Sequence, residues 1–382
     1  MRSSLFLTIP LLAVLSAGRL PAADDKKPPE PTPPSEIAGK NLKQWIAEIR
    51  DPDPGVVENA IRTVVHFGRE AREAGPDLIY QLENNKDASI RTNAAIALGI
   101  LNQELHSSDI TKAVDKLGTR MDIDGQTIVR FHATLALSKF GPDAKPVLNK
   151  LVLASKDGPS WEIRKAAAIA LGAAGGDKEK GPDPRAVNAL VTALSDKCGQ
   201  VRLEAVIALG VLGKPATKTE TDTVLTALTG RFKDHDKMVA IWAHASYMAV
   251  DGINAKRLTD IAAYLKNSDV TARCHAAKAL SMFGADAKAH IPDLVETLHD
   301  KQPTVACAAA EALAHMDKDM KVEKPKSVPE VTARIKKEVL PIMADMVKEK
   351  DLDEGLRLLL LSVLDHFDPK PAKDKPAEKV DK

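Results

Sequence analysis

An all-α solenoid of about nine helical hairpins is the fold this sequence predicts, on three observations. One thirteen-residue segment returns along the chain, with copies beginning at residues 56, 90, 129, 163, 201, 239, 272, 305 and 356. The interval between copies is 33 to 39 residues, apart from a last one of 51, which suits a unit built of two helices. The composition agrees. Apolar residues make up 44% of the chain but aromatic ones only 3%, and Ala and Leu, which lose least on entering a helix, are prominent.

Along the chain, residues 1–23 come first: a basic start at Arg2, then an apolar run from Leu5 to Ala17 and small residues behind it. That run is too short to span a bilayer and fits the central region of a secretory signal. Cleavage is expected near Ala22 or Ala23, with Ser16-Ala17-Gly18 as a second site; the other reading is an uncleaved N-terminal anchor. No cysteine follows the run, which argues against a lipid anchor. The mature protein is expected to be exported, periplasmic or secreted, with no membrane span. Residues 24–39, DDKKPPEPTPPSEIAG, are too rich in proline and charge to form a core and are expected as a flexible linker; 369–382, PKPAKDKPAEKVDK, is expected as a disordered Lys/Pro-rich tail. The solenoid should therefore occupy 40–368.

The repeat reads most clearly as VRLEAVIALGVLG (201–213), with close copies IRTNAAIALGILN (90–102), VRFHATLALSKFG (129–141), IRKAAAIALGAAG (163–175), ARCHAAKALSMFG (272–284) and VACAAAEALAHMD (305–317). Weaker copies are VVENAIRTVVHFG, VAIWAHASYMAVD and LRLLLLSVLDHFD. Positions one, five, nine and twelve are apolar, which at about 100° per residue is one helical face. The fifth position is Ala in eight copies and Leu360 in the ninth; a small residue there would admit a neighbouring backbone. A second amphipathic run precedes each copy, for example AVNALVTALSD (186–196), and Gly or Pro separates the units. Each unit is thus helix A, a turn, helix B. The long last interval contains DKDMKVEKPKSVPE, so an exposed insert loop is expected at about 317–330.

Two polar columns run through the units. Five residues before the first position stand Asp51, Asp124, Asp196, Asp234, Asp300 and Asp351, with Asn85 and Asn267 in two other turns. Their oxygens can accept backbone N–H groups at the start of helix B. The second position holds Arg91, Arg130, Arg164, Arg202, Arg273 and Arg357. Each Arg can reach an Asp of its own unit or of the adjacent one in a charge-assisted bond.

This D…VRxxAAxALGxxG pattern resembles HEAT repeats, in particular the bacterial HEAT-like type associated with phycobilin lyases, and the resemblance covers about residues 40 to 368. It implies a superhelix of stacked helix pairs with a structural Asp/Arg ladder and with helix B lining the concave side. It says little about function, because the same repeat serves scaffolds, lyases and hydroxylases.

Candidate chemistry is sparse. Cys274 and His275 adjoin Arg273 at the third and fourth positions of one copy, and Cys307 holds the third position of the next. Stacked helices lie about 8–10 Å apart, whereas a disulfide needs Cα atoms within about 7 Å, so Cys274 and Cys307 are expected to be unbonded. The fourth-position column of Asn59, His132, Glu204, Trp242, His275 and Ala308 is permissive rather than coordinating. HEAT-type hydroxylases bind iron through His-Glu dipeptides; here RFHA and RCHA carry Ala in place of the carboxylate. No catalytic residue, metal site or cofactor is expected. With 54 basic and 53 acidic residues, a net charge of +1, nothing favours sequence-independent nucleic-acid binding.

Surface remains. The third, seventh and tenth positions of helix B include Phe131, Leu135, Ile169, Leu203, Ile207, Ile241 and Met248, an apolar strip that would receive a partner protein or peptide; the competing reading is that they only pack between units. The sequence therefore points to a non-enzymatic protein-interaction scaffold. The alternative is a lyase-type HEAT-like enzyme or chaperone acting on a chromophore-bearing or other protein substrate.

Overall fold

The computed structural model describes residues 34–177 and 179–323, together with 337, 340–348, 354, 357, 358, 360, 361 and 364. The expected signal peptide, the first part of the linker, Asp351 and the C-terminal tail lie outside the described residues.

The chain forms two compact units, through Gly252 and from Ile253 onward. In the first, A and B helices alternate: α1 (Leu42–Glu48), α2 (Pro54–Val64), α3 (Gly75–Asn84), α4 (Ala88–Ile100), α5 (Ser107–Ile123), α6 (Thr127–Phe140), α7 (Leu148–Asp157), α8 (Trp161–Ala174), α9 (Pro184–Ala193), α10 (Gly199–Leu212), α11 (Lys218–Thr229) and α12 (Lys237–Asp251). In the second come α13 (Ala255–Ala262), α14 (Val270–Ser281), α15 (Ile291–Thr297), α16 (Pro303–Glu323) and α17 (Leu340–Lys348). Even-numbered helices are the B helices; they pack on one another in series, α4 on α6, α6 on α8, α8 on α10 and α10 on α12, and in the second unit α14 on α16. The fold is a helical solenoid.

The apolar face is where the periodicity puts it. The first position is buried in seven copies, from Ile90 to Val305, and half-buried at Val56, and the fifth, from Ala60 to Ala309, is buried in all eight. The ninth is buried from Val64 to Leu313 except at Tyr247, which is half-buried. N-caps start the B helices: Asp53, Asp87, Ser160, Asp236 and Asp269 each accept a backbone N–H from the first turn, an interaction worth about 1 kcal/mol apiece. After α6 and α10 the chain leaves through Gly141 (φ +54°) and Gly213 (φ +71°), a left-handed conformation that a side chain would strain.

Close approach between B helices rests on the tenth position rather than the fifth. A Cβ on Gly172 would lie 2.8 Å from Ala208 Cβ, and one on Gly210 would lie 2.6 Å from Ser246 Oγ. In both cases the small partner is the eighth residue of the next B helix. Glycine here brings the axes together, and the fifth-position alanines sit inside the core instead.

Two segments differ from expectation. The end of the linker is ordered: β1 (Glu36–Ile37) and β2 (Lys40–Asn41) form an antiparallel hairpin. Trp45 holds it, donating from Nε1 to the Ile37 carbonyl at 3.1 Å while the Lys40 ammonium lies 4.6 Å from its ring centroid. The segment 317–330, expected as an insert loop, begins as helix, because α16 runs on to Glu323. Its first residues continue an Ala-rich run with no helix breaker before Pro325.

Candidate functional site

Three features could act on another molecule: the polar ladder at the A–B turns, the buried polar groups of the B helices, and the open face of those helices.

The ladder joins successive units. Arg91 places Nε and Nη2 on the two carboxylate oxygens of Asp124, each at 2.8 Å, and its Nη1 on the carbonyls of Asn85 and Lys86. Arg164 forks onto Asp196 at 2.6 and 3.1 Å, Arg202 onto Asp234 at 3.0 and 2.8 Å, and Arg273 onto Asp300 at 2.6 and 3.0 Å. Of the two geometries open to the sequence, the structure takes the adjacent-unit one. Each Asp also receives a backbone N–H two residues on, from Gln126, Cys198, Asp236 and Gln302. Burial pushes these four carboxyls up, but their Arg and backbone donors outweigh it and hold them below the usual range. After the apolar second positions Val57 and Ala240 the turn residue is Asn85 or Asn267, whereas Ala306 is followed by Asp351. Asn makes the same backbone cap without a charge, as Asp87 N donating to Asn85 Oδ1 at 2.8 Å shows. Asp51 caps in the same way toward Asp53 N. Arg357 bonds the Val347 carbonyl and lies 3.4 Å from Glu354. Arg130 has no Asp at all, for the next turn carries Gly158.

The cysteines and histidines do not assemble into chemistry. Cys198, Cys274 and Cys307 are free thiols. Burial raises Cys274, and pushes Cys307 up to about 11. Burial lowers His275 to about 4 and also lowers His132. Both members of the Cys274–His275 pair are therefore held neutral, the opposite of what an activated thiolate requires. Among the described residues, no three His, Cys, Asp or Glu side chains gather as a metal-binding cluster. A further electrostatic anomaly is Glu204, buried at the fourth repeat position, on α10, with the Lys165 ammonium 3.9 Å away on α8; burial pushes its carboxyl up to about 7.

The open face differs from the strip the sequence suggested. Ile169, Leu203, Ile207, Ile241 and Met248 are buried, and only Phe131 and Leu135 are partly open. The reason is the turn of each helix relative to its neighbours. In the first unit the tenth positions Gly99, Gly172 and Gly210 each face the eighth residue of the next B helix, and Ile169, Leu203, Ile207 and Ile241 are buried along that series of close crossings. The apolar surface lies one unit earlier instead. Ile96 and Ile100, at positions seven and eleven of α4, are 36% and 58% exposed. They flank the crossing at which a Cβ on Gly99 would lie 3.2 Å from Ala136, so Ile100 and Leu135 stand on either side of one close contact. Phe131 is packed edge-on to His132, centroids 4.9 Å apart. Ile96 shares the seventh position with Leu135 and could have been read from the pattern; Ile100 could not, because the eleventh position opens only once the tenth is seen facing a neighbour.

A profile of HEAT repeats matches residues 42–138, 148–247 and 258–351. The chain belongs to the HEAT-repeat family. Among solved structures, this HEAT-repeat chain is similar to a Kap121p mutant, at 15% identity and a TM-score of 0.52 over 85% of this chain and 37% of that one. It is similar also to Kap121p bound to Nup53p, at 15% identity and TM-score 0.50 over 85% and 41%. The chain thus spans about two fifths of the length of Kap121p. A designed armadillo repeat protein aligns at 21% identity and TM-score 0.44, over 55% of this chain and all of that one. A search of curated proteins gave no match. No helix among the described residues of this HEAT-repeat protein is long and apolar enough to cross a membrane.

Proposed function

We propose that this protein is a non-enzymatic HEAT-repeat scaffold that captures a partner polypeptide on the B-helix face of its first unit. The observation that carries this reading is the exposed apolar cluster of Ile96 and Ile100 on α4 beside Phe131 and Leu135 on α6. Each residue sits on a rigid, fully packed helix, so a ligand would meet a preorganised surface with little ordering cost. Kap121p, which shares the fold at low identity, is a protein seen bound to a polypeptide, Nup53p. The neutral thiols and imidazoles described above give the surface no activated nucleophile. Export from the cell, expected from residues 1–23, is part of the same proposal.

The test is panning of a random nine-residue peptide library against the immobilised full chain. Peptides that bind the wild type and fail to bind Ile100→Asp and Leu135→Asp, with helical circular dichroism unchanged, support the reading. Peptides that bind all three proteins equally overturn it. Leu203→Asp is unsuitable, because a carboxylate placed at that buried position would disrupt the fold itself.

A further inference from the structure

The Arg/Asp ladder has one rung whose carboxylate the chain does not supply. Arg91, Arg164, Arg202 and Arg273 each grip the Asp of the next unit with both Nε and Nη2. Arg130 occupies the same second position of α6, but the corresponding residue of the next turn is Gly158. An Asp could not stand there. A Cβ on Gly158 would lie 2.4 Å from the Ala154 carbonyl oxygen and 3.1 Å from both Arg164 Cγ and Ile163 Cγ2.

Nor does the residue's own turn offer a carboxylate. Asp124 already holds Arg91 in a two-point fork and has Arg120 Nη1 at 3.5 Å, so two guanidinium groups share its single charge. Arg130 adds a third cation and has turned away, its Nε donating to the Met121 carbonyl at 3.0 Å. Among the described residues, neither of its terminal nitrogens has a hydrogen-bond or ion-pair partner. Asp157, exposed one residue before Gly158, makes no ion pair among the described residues.

The guanidinium is partly exposed. Arg130 precedes Phe131 of the open face in the chain, and the half-exposed Ile128 begins the same helix. Arg91 and Arg120 already share Asp124, the terminal nitrogens of Arg130 are left with free donors, and the four other rungs show what such a group binds in this fold.

We propose that Arg130 is the recognition site for an acidic side chain of the partner polypeptide, an Asp or Glu next to an aliphatic or aromatic residue, which completes the open rung from outside. The inference rests on the reading that the B-helix face captures a polypeptide, and it adds the chemistry that selects the ligand. A guanidinium with two free terminal nitrogens matches a carboxylate with two-point geometry.

The same nine-residue random library tests it, with the full-length wild type, Arg130→Gln, Arg130→Lys and Leu135→Asp as baits. Wild type should enrich peptides carrying Asp or Glu beside an apolar residue by roughly tenfold over the unselected library, the scale of one charge-assisted bond. Arg130→Gln should still select apolar peptides but lose the acid, and Arg130→Lys, a point charge without the fork, should retain only part of it. The Arg130 variants give up the Nε bond to the Met121 carbonyl, so circular dichroism checks that each bait keeps wild-type helicity. Selected peptides without an acidic preference, or an acidic preference that survives in Arg130→Gln, overturn the proposal while leaving the capture reading intact. Peptides that Leu135→Asp binds as well as wild type does overturn that reading too.

Discussion

Glu204 makes a sharp quantitative test of the structure. Its carboxyl is only 2% exposed, its one charged neighbour is Lys165 at 3.9 Å, and burial raises it from an ordinary 4.5 to about 7. The folded protein therefore binds this proton more tightly than the unfolded chain does. Below about pH 4.5 the group is neutral in both states and costs nothing. As pH rises toward 7 the unfolded chain ionises first, so this group's contribution to stability falls; above 7 the loss is complete. With each tenfold change in proton affinity worth ~1.36 kcal/mol, a rise from 4.5 to about 7 amounts to about 3 kcal/mol at pH 8. Glu204→Gln keeps the shape and removes the charge. It should be nearly neutral at pH 4.5 and stabilising by up to about 3 kcal/mol at pH 8. For a unit of this size that is roughly 6–12 °C in Tm. The assay is thermal unfolding by circular dichroism at half-unit steps between pH 4.5 and 8.5, for wild type, Glu204→Gln and Lys165→Met. The last removes the compensating cation and should lose more stability at pH 8 than at pH 5. A Glu204→Gln gain equal at both ends of the range, or a loss at pH 8, would show that the carboxylate is not desolvated as the structure has it.

Arg202 and Asp234, with side chains 4% and 2% exposed, form the most buried rung. Arg202→Met alone should cost about 3–5 kcal/mol by stranding a carboxylate, and adding Asp234→Asn should restore most of it in urea titrations. All four paired Asp carboxyls are depressed, so their stabilisation is present above the unfolded pKa and lost as pH falls through the folded one; an Asp234→Asn variant should show a shallower acid loss of stability than wild type. Gly172→Val, which drives a branched side chain into Ala208, should cost about 1–3 kcal/mol by urea titration, whereas Gly213→Asn, at a left-handed position with open space around it, should cost less than half of that. Cys307 is 1% exposed with its thiol pushed up to about 11, so iodoacetamide at pH 7.5 should leave it unmodified in the folded protein and label it in 6 M guanidinium, read by mass spectrometry of the intact chain.

The repeat length, the helix pairs, the apolar face and the two polar columns were all legible in the residues, because each is set by short-range periodicity. Positions one, five and nine recur at spacings that only a helix brings to one face. What the letters could not settle was which neighbour each remaining face meets. Whether Arg reaches its own Asp or the next, whether Ile241 and Met248 line a groove or a seam, and whether the eleventh position is open all depend on how far each B helix is rotated and how near the next one lies. That rotation comes from pairs such as Gly172 with Ala208 and Gly210 with Ser246, whose members are 36 residues apart and meet only when the helices stack. The same stacking buried Glu204, a member of the permissive fourth-position column. It also left Arg130 facing a turn too tight to hold the carboxylate that every other paired Arg receives. Sequence determined the units because local physics suffices for them; tertiary packing decided the surface because a surface is whatever the neighbours leave uncovered.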